Sequence, residues 1–403
     1  MELFWLEHKK LWRKKIVKIC VLLCFVYCVI FGSILSFQWF CFGSSDDYTS
    51  AFGNNFDGYT VIKDSQEYAL SFGGELTDET LQKIVSDYQQ MEADGMGEEL
   101  EKTDWQIVNS WLGTLYPELR DTSNYKTMIS YVDPDKLTGF YERRQQVLDE
   151  FLEVSGQVGA EKEFLHQIER KVEKPFRYEW VEGWSTLLGS MVADLGVVMA
   201  LFLGIVLSSL FAGEWHDNTS TLVLTTRNGW GKIALAKILT GLAFTVELFA
   251  LLAVSSVISQ LFFMGTAGWD MPIQNIKLIA VAPMNMLQAE IYEYAFVLLG
   301  AIGFAGIVMF ISAAVKNNVL TLLLSLAVVY GPMMIAEYLP YGMQKALDLI
   351  PLVGSSTDIF RTNTFRIFGK LIWSPYLLIT IPVLIGILCM PFAIKSWSRR
   401  MKA

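Results

Sequence analysis

Histidine, cysteine and proline are scarce in this chain of 403 residues, and familiar catalytic signatures are missing. The three histidines, His8, His166 and His216, stand far apart, and no H-E-x-x-H zinc pair occurs. A G-x-S-x-G nucleophile elbow is also missing. A phosphate loop needs G-x-x-x-x-G-K-[S/T], whose backbone N–H groups and lysine cradle phosphate. The nearest fragment, Gly231-Lys232, is followed by Ile233 and has Thr226 where the first glycine belongs, so ATP chemistry is not expected here. The cysteines are Cys20, Cys24, Cys28, Cys41 and Cys389, with none in residues 43–183, which therefore hold no internal disulfide. A eukaryotic ectodomain of that size more often carries disulfides, so a bacterial plasma membrane, of a single-membrane cell, is the easier fit. The first apolar run is too long for a signal h-region, and no Ala-x-Ala site follows it, so it reads as a signal anchor. Internal repeats are not evident.

What is present is oil. The chain is 53% hydrophobic. A bilayer core about 30 Å thick needs roughly 20 apolar residues per helix. Six stretches qualify: 16–37, 187–211, 238–264, 292–315, 319–339 and 375–394. Helices are expected, because lipid offers the backbone no hydrogen-bond partner. The fold class is thus an all-α polytopic membrane protein with six transmembrane helices. Its parts are a cytoplasmic interfacial segment (1–15), the first span (16–42), an extracellular and mainly helical domain (43–183), the second span (184–212), an inner loop (213–237), spans three to six with their links (238–394) and a tail (395–403).

Orientation follows from basic flanks. Lys9, Lys10, Arg13, Lys14, Lys15 and Lys18 precede or open span one, and Lys395, Arg399, Arg400 and Lys402 follow span six, which places both termini in the cytoplasm. Residues 43–183 carry 29 acids against 13 bases, net −16, whereas the rest is +7. Such an acidic surface repels nucleic acid. One loop disagrees with the rule. Residues 340–374 should face outward, yet hold Lys345, Arg361, Arg366 and Lys370 against two acids. A re-entrant helix around residues 349–353 would also explain that loop.

Several local readings follow. Residues 1–15 mix Leu3, Phe4, Leu6, Leu11 and Trp12 with lysines, as an interfacial helix or a plain basic anchor would. Cys20, Cys24 and Cys28 share one helix face, as a metal or redox stripe or, more cheaply, as packing residues. In the outer domain, Thr77 is a plausible N-cap with Leu76 and Leu81 as hydrophobic staple. A second helix is expected from Asp133-Pro134, with Leu137, Phe140, Tyr141, Val147, Leu148, Phe151 and Leu152 on its apolar face. A third carries Phe164, Leu165, Ile168 and Val172 and stops at Pro175. The Asp133-x-Asp135 pair is read as a cap in preference to a metal ligand.

The inner loop is the most telling segment. It runs Gly213-Glu214-Trp215-His216-Asp217-Asn218-Thr219 and continues through Leu222, Leu224 and Arg227 to Lys237. An acid ends span two, a short amphipathic piece follows, and a lysine opens span three. This resembles the permease subunits of type-2 ATP-binding-cassette transporters, to which Glu214, Thr219, Leu222, Leu224, Arg227 and Lys237 correspond. The family's usual turn proline is missing; Thr225-Thr226-Arg227 stands there. The link holding Lys316 and Asn317 and the six-span layout are also similar to the family. The resemblance covers residues 185–400. It implies ATPase coupling through Glu214, Trp215, Thr219, Leu222, Leu224, Arg227, Lys237, Lys316 and Asn317. It also implies a second permease subunit, the same or a related chain, and cytosolic ATPase subunits that bind ATP and Mg. The chain itself would be no enzyme and would hold no cofactor. The expected function is export of a peptide-like or amphiphilic substrate.

Charges within spans mark pathways by default. Glu247, about nine residues into span three, and Asp194 in span two are the pathway candidates; Glu290, Glu293 and Glu337 lie near span ends and read as interfacial. An ion-coupled secondary transporter would be expected to show more paired polar groups and broken helices. A signalling or tethering subunit is the other alternative.

Overall fold

The computed structural model describes residues 2–30, 66, 73–95, 105–121, 123, 126–217, 219, 231–354 and 363–399. The chain is mainly helical. Among the described residues, five helices are long and apolar enough to cross a membrane. Helix α1 (Glu2–Arg13) is followed by α2 (Lys15–Val29), the first part of the predicted first span, whose remainder lies outside the described residues. The N-cap residue of α2, Lys14, is extended at φ −67°, ψ 129°, so α1 and α2 are separate helices. A domain of residues 73–184 follows, built from strand β1 (Gly74–Glu75), helices α3 (Asp78–Ala93), α4 (Trp105–Leu115), α5 (Phe140–Val154) and α6 (Ala160–Glu169), strand β2 (Arg177–Tyr178) and the start of α7 (Glu182–Thr186). The remaining elements are α8 (Val192–His216), α9 (Lys232–Met264), α10 (Met286–Ala314), α11 (Asn318–Ala336), α12 (Tyr341–Leu347), the antiparallel hairpin β3 (Thr364–Ile367) and β4 (Lys370–Trp373), and α13 (Ser374–Arg399).

Helix α10 is the centre of the bundle and packs on α8, α9, α11 and α13. Without water to drive helices together in lipid, small residues allow close backbone approach. A Cβ on Gly303 would stand 2.2 Å from the Pro382 carbonyl oxygen, and one on Gly386 would stand 2.5 Å from the Gly303 Cα. Gly386→Ala is therefore expected to wedge α10 from α13, at a cost of roughly 1–3 kcal/mol for overpacking. A Cβ at Gly331 on α11 meets nothing within 4 Å, so Gly331→Ala should leave thermal unfolding unchanged or slightly improved. An unchanged Tm for Gly386→Ala in detergent would contradict this helix contact.

The residue 73–184 domain keeps the predicted first cap. The Thr77 hydroxyl accepts from the Thr80 N–H at 3.2 Å, and Leu76 and Leu81 are fully buried in one cluster. Two other boundaries are corrected. Pro134–Lys136 is only a single 3-10 turn, and α5 starts at Phe140 after Gly139, whose φ of 72° breaks the chain direction. The predicted third helix ends at Glu169, not at Pro175; a turn at residues 170–172 closes it. The Asp133 carboxylate accepts from the Asp135 N–H at 3.2 Å, which is the capping role. Phe151, expected on the apolar face of α5, is exposed.

The domain does not stand alone. The link between α9 and α10 closes against it: Trp111 Nε1 donates to the Asn275 carbonyl at 2.9 Å, and Asn275 Nδ2 to the Arg177 carbonyl at 2.9 Å. Arg144, fully buried, donates to the Leu278 carbonyl (2.7 Å), to the Ala280 carbonyl (3.1 Å) and to Glu169 Oε1 (2.6 Å). The β3–β4 hairpin joins the same face, with Thr364 donating to Gln157 at 2.7 Å and Arg366 to Glu161 at 2.7 Å. Two basic residues of the discordant loop, 340–374, find partners here. Its Arg366 pairs with the acidic domain, and Lys345 donates to the Thr364 carbonyl at 2.8 Å. No re-entrant helix forms at residues 349–353; instead turns set Leu352, at φ 62°, against Gly300 of α10.

Candidate functional site at the α1 end

Opposite the residue 73–184 domain, three elements converge on one carboxylate. Glu214 closes α8 and is 4% exposed. It accepts from Lys10 Nζ of α1 at 2.6 Å, from Lys237 Nζ of α9 at 2.9 Å and from the Thr219 hydroxyl. Lys237, 2% exposed, also binds Glu7 of α1 at 2.8 Å. Lys14 donates to the Ser209 hydroxyl at 2.9 Å. A cavity of about 30 Å³ lies among Lys10, Lys14, Glu214, Asp217 and Lys237, enough for ordered water.

Electrostatics explains why these charges tolerate burial. A carboxylate with three donors, two of them ammonium groups, is compensated by charge-assisted hydrogen bonds. Burial pushes the Lys10 ammonium down, but the bond to Glu214 and the charges of Glu7 and Asp217 outweigh it and raise it above its ordinary value. Burial, with the neighbouring charges of Lys237 and Lys10, holds Lys14 below its ordinary value.

Beside this cluster sits an aromatic one. The rings of Trp215 and Trp397 meet edge to face at 6.1 Å, and Phe211 packs on Trp397 at 5.5 Å. Lys316 Nζ lies 4.3 Å from the centroid of the Trp215 ring, a cation–π contact. Asn317 is the N-cap of α11, accepting from the Val319 and Leu320 N–H groups. The structure thus gathers Glu214, Trp215, Thr219, Lys237, Lys316 and Asn317 at one end. Leu222, Leu224 and Arg227 lie outside the described residues, as do Asn218 and residues 220–230 between the two roots.

The two pathway candidates are placed elsewhere. Glu247 accepts from Trp12 Nε1 at 3.0 Å and lies 3.2 Å from His8 Nε2, so α1 lies across it. It stands fifteen residues into the 33-residue α9, which begins six residues before the predicted span, and so is tied to α1. Asp194 is exposed and interacts with the Tyr27 hydroxyl of α2. Cys20, Cys24 and Cys28 are buried free thiols in the bundle core, the packing role. No group of three or more His, Cys, Asp or Glu able to hold a metal occurs among the described residues.

Sequence reasoning missed the contribution of α1. Lys10 reads as part of a basic flank and Glu7 draws no notice, although their i, i+3 spacing places both on one helix face. The buried Arg144 was legible in principle: it falls four residues after Phe140 and four before Leu148, on the apolar stripe itself. Glu290 and Glu293, read as interfacial, are 3% and 0% exposed inside the protein. No family model, curated protein or solved structure matches the chain.

Proposed function

We propose that this chain is the membrane-spanning subunit of a type-2 ATP-binding-cassette exporter in a bacterial plasma membrane, with the α1 end cytoplasmic. In this reading it works with a separate ATPase and with a second permease subunit. The observation that carries the proposal is the Glu214–Lys237 ion pair. It joins the C-terminal end of α8 to the N-terminal part of α9, the two roots of one short segment, and ties both to α1. A push on that segment would move two spans and the interfacial helix together. The residue 73–184 domain, locked to the α9–α10 link and to the β3–β4 hairpin, would feel such movement on the far side. That arrangement suits a two-state device driven by differential binding energy. The cargo class is amphiphilic or peptide-like, and the acidic outer domain would steer cationic molecules toward it.

Trp215 is not a clean probe of ATPase docking, since its ring packs on Trp397 and under Lys316. Leu222→Asp and Leu224→Asp are the better variants. With the partner ATPase reconstituted in liposomes, both should abolish stimulation of ATP hydrolysis while leaving the Tm of the chain unchanged. Stimulation equal to wild type in both variants would rule out docking through this segment.

A further inference from the structure

At the end bearing the residue 73–184 domain, α10 begins with a complete capping box. Asn285 accepts from the Gln288 N–H, and Gln288 accepts from the Asn285 N–H. Just inside lie Glu290 and Glu293, on adjacent turns of one helix. Both are buried; neither oxygen of Glu293 accepts a hydrogen bond, while Glu290 has the Tyr294 hydroxyl as a hydrogen-bond partner. A buried carboxylate without a counter-charge is among the most costly groups a protein can hold.

Helix α9 places another unpartnered group at the same level. The Ser256 hydroxyl of α9 and the Tyr294 hydroxyl of α10 meet at 2.9 Å, which fixes the register of these antiparallel helices. One turn further along α9 is Gln260; one turn back along α10 is Glu290, next to Tyr294. Gln260 is fully buried, and neither its amide nitrogen nor its oxygen has a partner. The Glu293 carboxyl and the whole Gln260 amide thus lack hydrogen-bond partners at the level of Glu290. Lys277 lends Glu293 a positive charge from the α9–α10 link without bonding it.

A cavity of about 550 Å³ opens between the residue 73–184 domain and the link, lined in part by Ser110, Glu182, Ser185 and Lys277. Lys277 therefore borders both the cavity and the field of Glu293. We propose that Glu290, Glu293 and Gln260 form an exchangeable site for a small monovalent cation, a proton or a sodium ion, reached from that cavity. Oxygen donors suit a hard cation. No third acidic, His or Cys side chain joins the pair to hold a transition metal among the described residues. Intramembrane carboxyls that face the protein interior mark ion paths. The other titratable neighbours are Tyr292 and Tyr294 on α10, Lys277 on the link, Tyr376 on α13 and Cys28 on α2. The turn at Leu187–Met191 offers none. This goes beyond the exporter reading and does not depend on an ATPase.

The test uses the full chain alone in nanodiscs. Infrared spectra follow the protonated-carboxyl band between about pH 5 and pH 9, in sodium chloride or choline chloride. A band that titrates identically in both salts, and is lost in Glu290→Gln and Glu293→Gln, assigns the proton. A band that falls when sodium replaces choline, together with a sodium-dependent rise in Tm, assigns sodium. Should the glutamate variants not fold, Gln260→Ala is expected to shift the midpoint by about one pH unit, or the apparent sodium affinity by about tenfold. A wild-type protein whose carboxyl band and Tm ignore both pH and sodium would overturn the proposal.

Discussion

Arg144→Met is expected to unfold the residue 73–184 domain and to release the α9–α10 link. The guanidinium is fully buried and holds the Glu169 carboxylate and two carbonyls of the link at once. Methionine keeps much of the volume and none of the donors. Removing one partner of a buried ion pair costs about 3–5 kcal/mol. That is a large share of the roughly 5–15 kcal/mol that holds a domain together. Lys174, 2.8 Å from Glu169, can relieve part of the orphaned charge but cannot reach the Leu278 and Ala280 carbonyls that the arginine fork satisfied. Loss of the cooperative unfolding transition, and rapid proteolysis within residues 265–285, are the expected readouts. A wild-type Tm would show that the domain is held by other contacts.

The same pair gives the domain an acid limit. Burial pushes the Glu169 carboxyl up, but hydrogen bonds from Lys174 and Arg144 outweigh it and hold the group below its ordinary value. A carboxylate whose folded value is depressed stabilises the fold above its unfolded value, about 4.3, and loses that contribution as pH falls through the folded value. Wild-type stability should therefore decline below about pH 4, and Glu169→Gln should flatten that decline.

Lys237→Met carries the second large effect. It strips Glu214 of its most buried partner and removes the ion pair that Lys237 makes with Glu7 of α1. Lys10 and Thr219 remain on Glu214, so the chain should still fold. What it should lose is the rigid link between α8, α9 and α1. At about 3–5 kcal/mol for a broken buried pair, the linked state falls by on the order of 10²–10⁴-fold in population. Thiol pairs placed on α1 and α9 should then cross-link more slowly. In a double-mutant cycle with Glu214→Gln, the combined loss should be clearly smaller than the sum of the single losses, because the two residues share one interaction. Strict additivity would mean that the pair is not the link.

The sequence made the apolar framework legible because hydropathy is a local property. Five of the six predicted spans correspond to α8, α9, α10, α11 and α13, and their ends moved by no more than six residues, as capping residues such as Asn285 and Asn317 set them. The Thr77 cap was legible for the same reason. Partners were not. Arg144 is 134 residues from Leu278, and Lys10 is 204 from Glu214. No periodicity reports contacts at that separation. Glu247 shows the consequence: its depth along a span was legible, but its partners Trp12 and His8 of α1 were not. Lys345 and Arg366 show the reverse. Counted by charge alone they marked a side of the membrane, whereas their partners are a hairpin carbonyl and a nearby glutamate.

The claim that a separate ATPase works on these spans through the Glu214–Lys237 roots is tested most directly by purifying the tagged full chain from its native membrane under mild detergent. The expected result is a stoichiometric partner carrying a phosphate loop and hydrolysing ATP, retained by the wild type, lost in Leu222→Asp, and bound but no longer stimulated in Lys237→Met. A chain that transports its cargo from such a preparation with no nucleotide-hydrolysing partner attached would contradict the account.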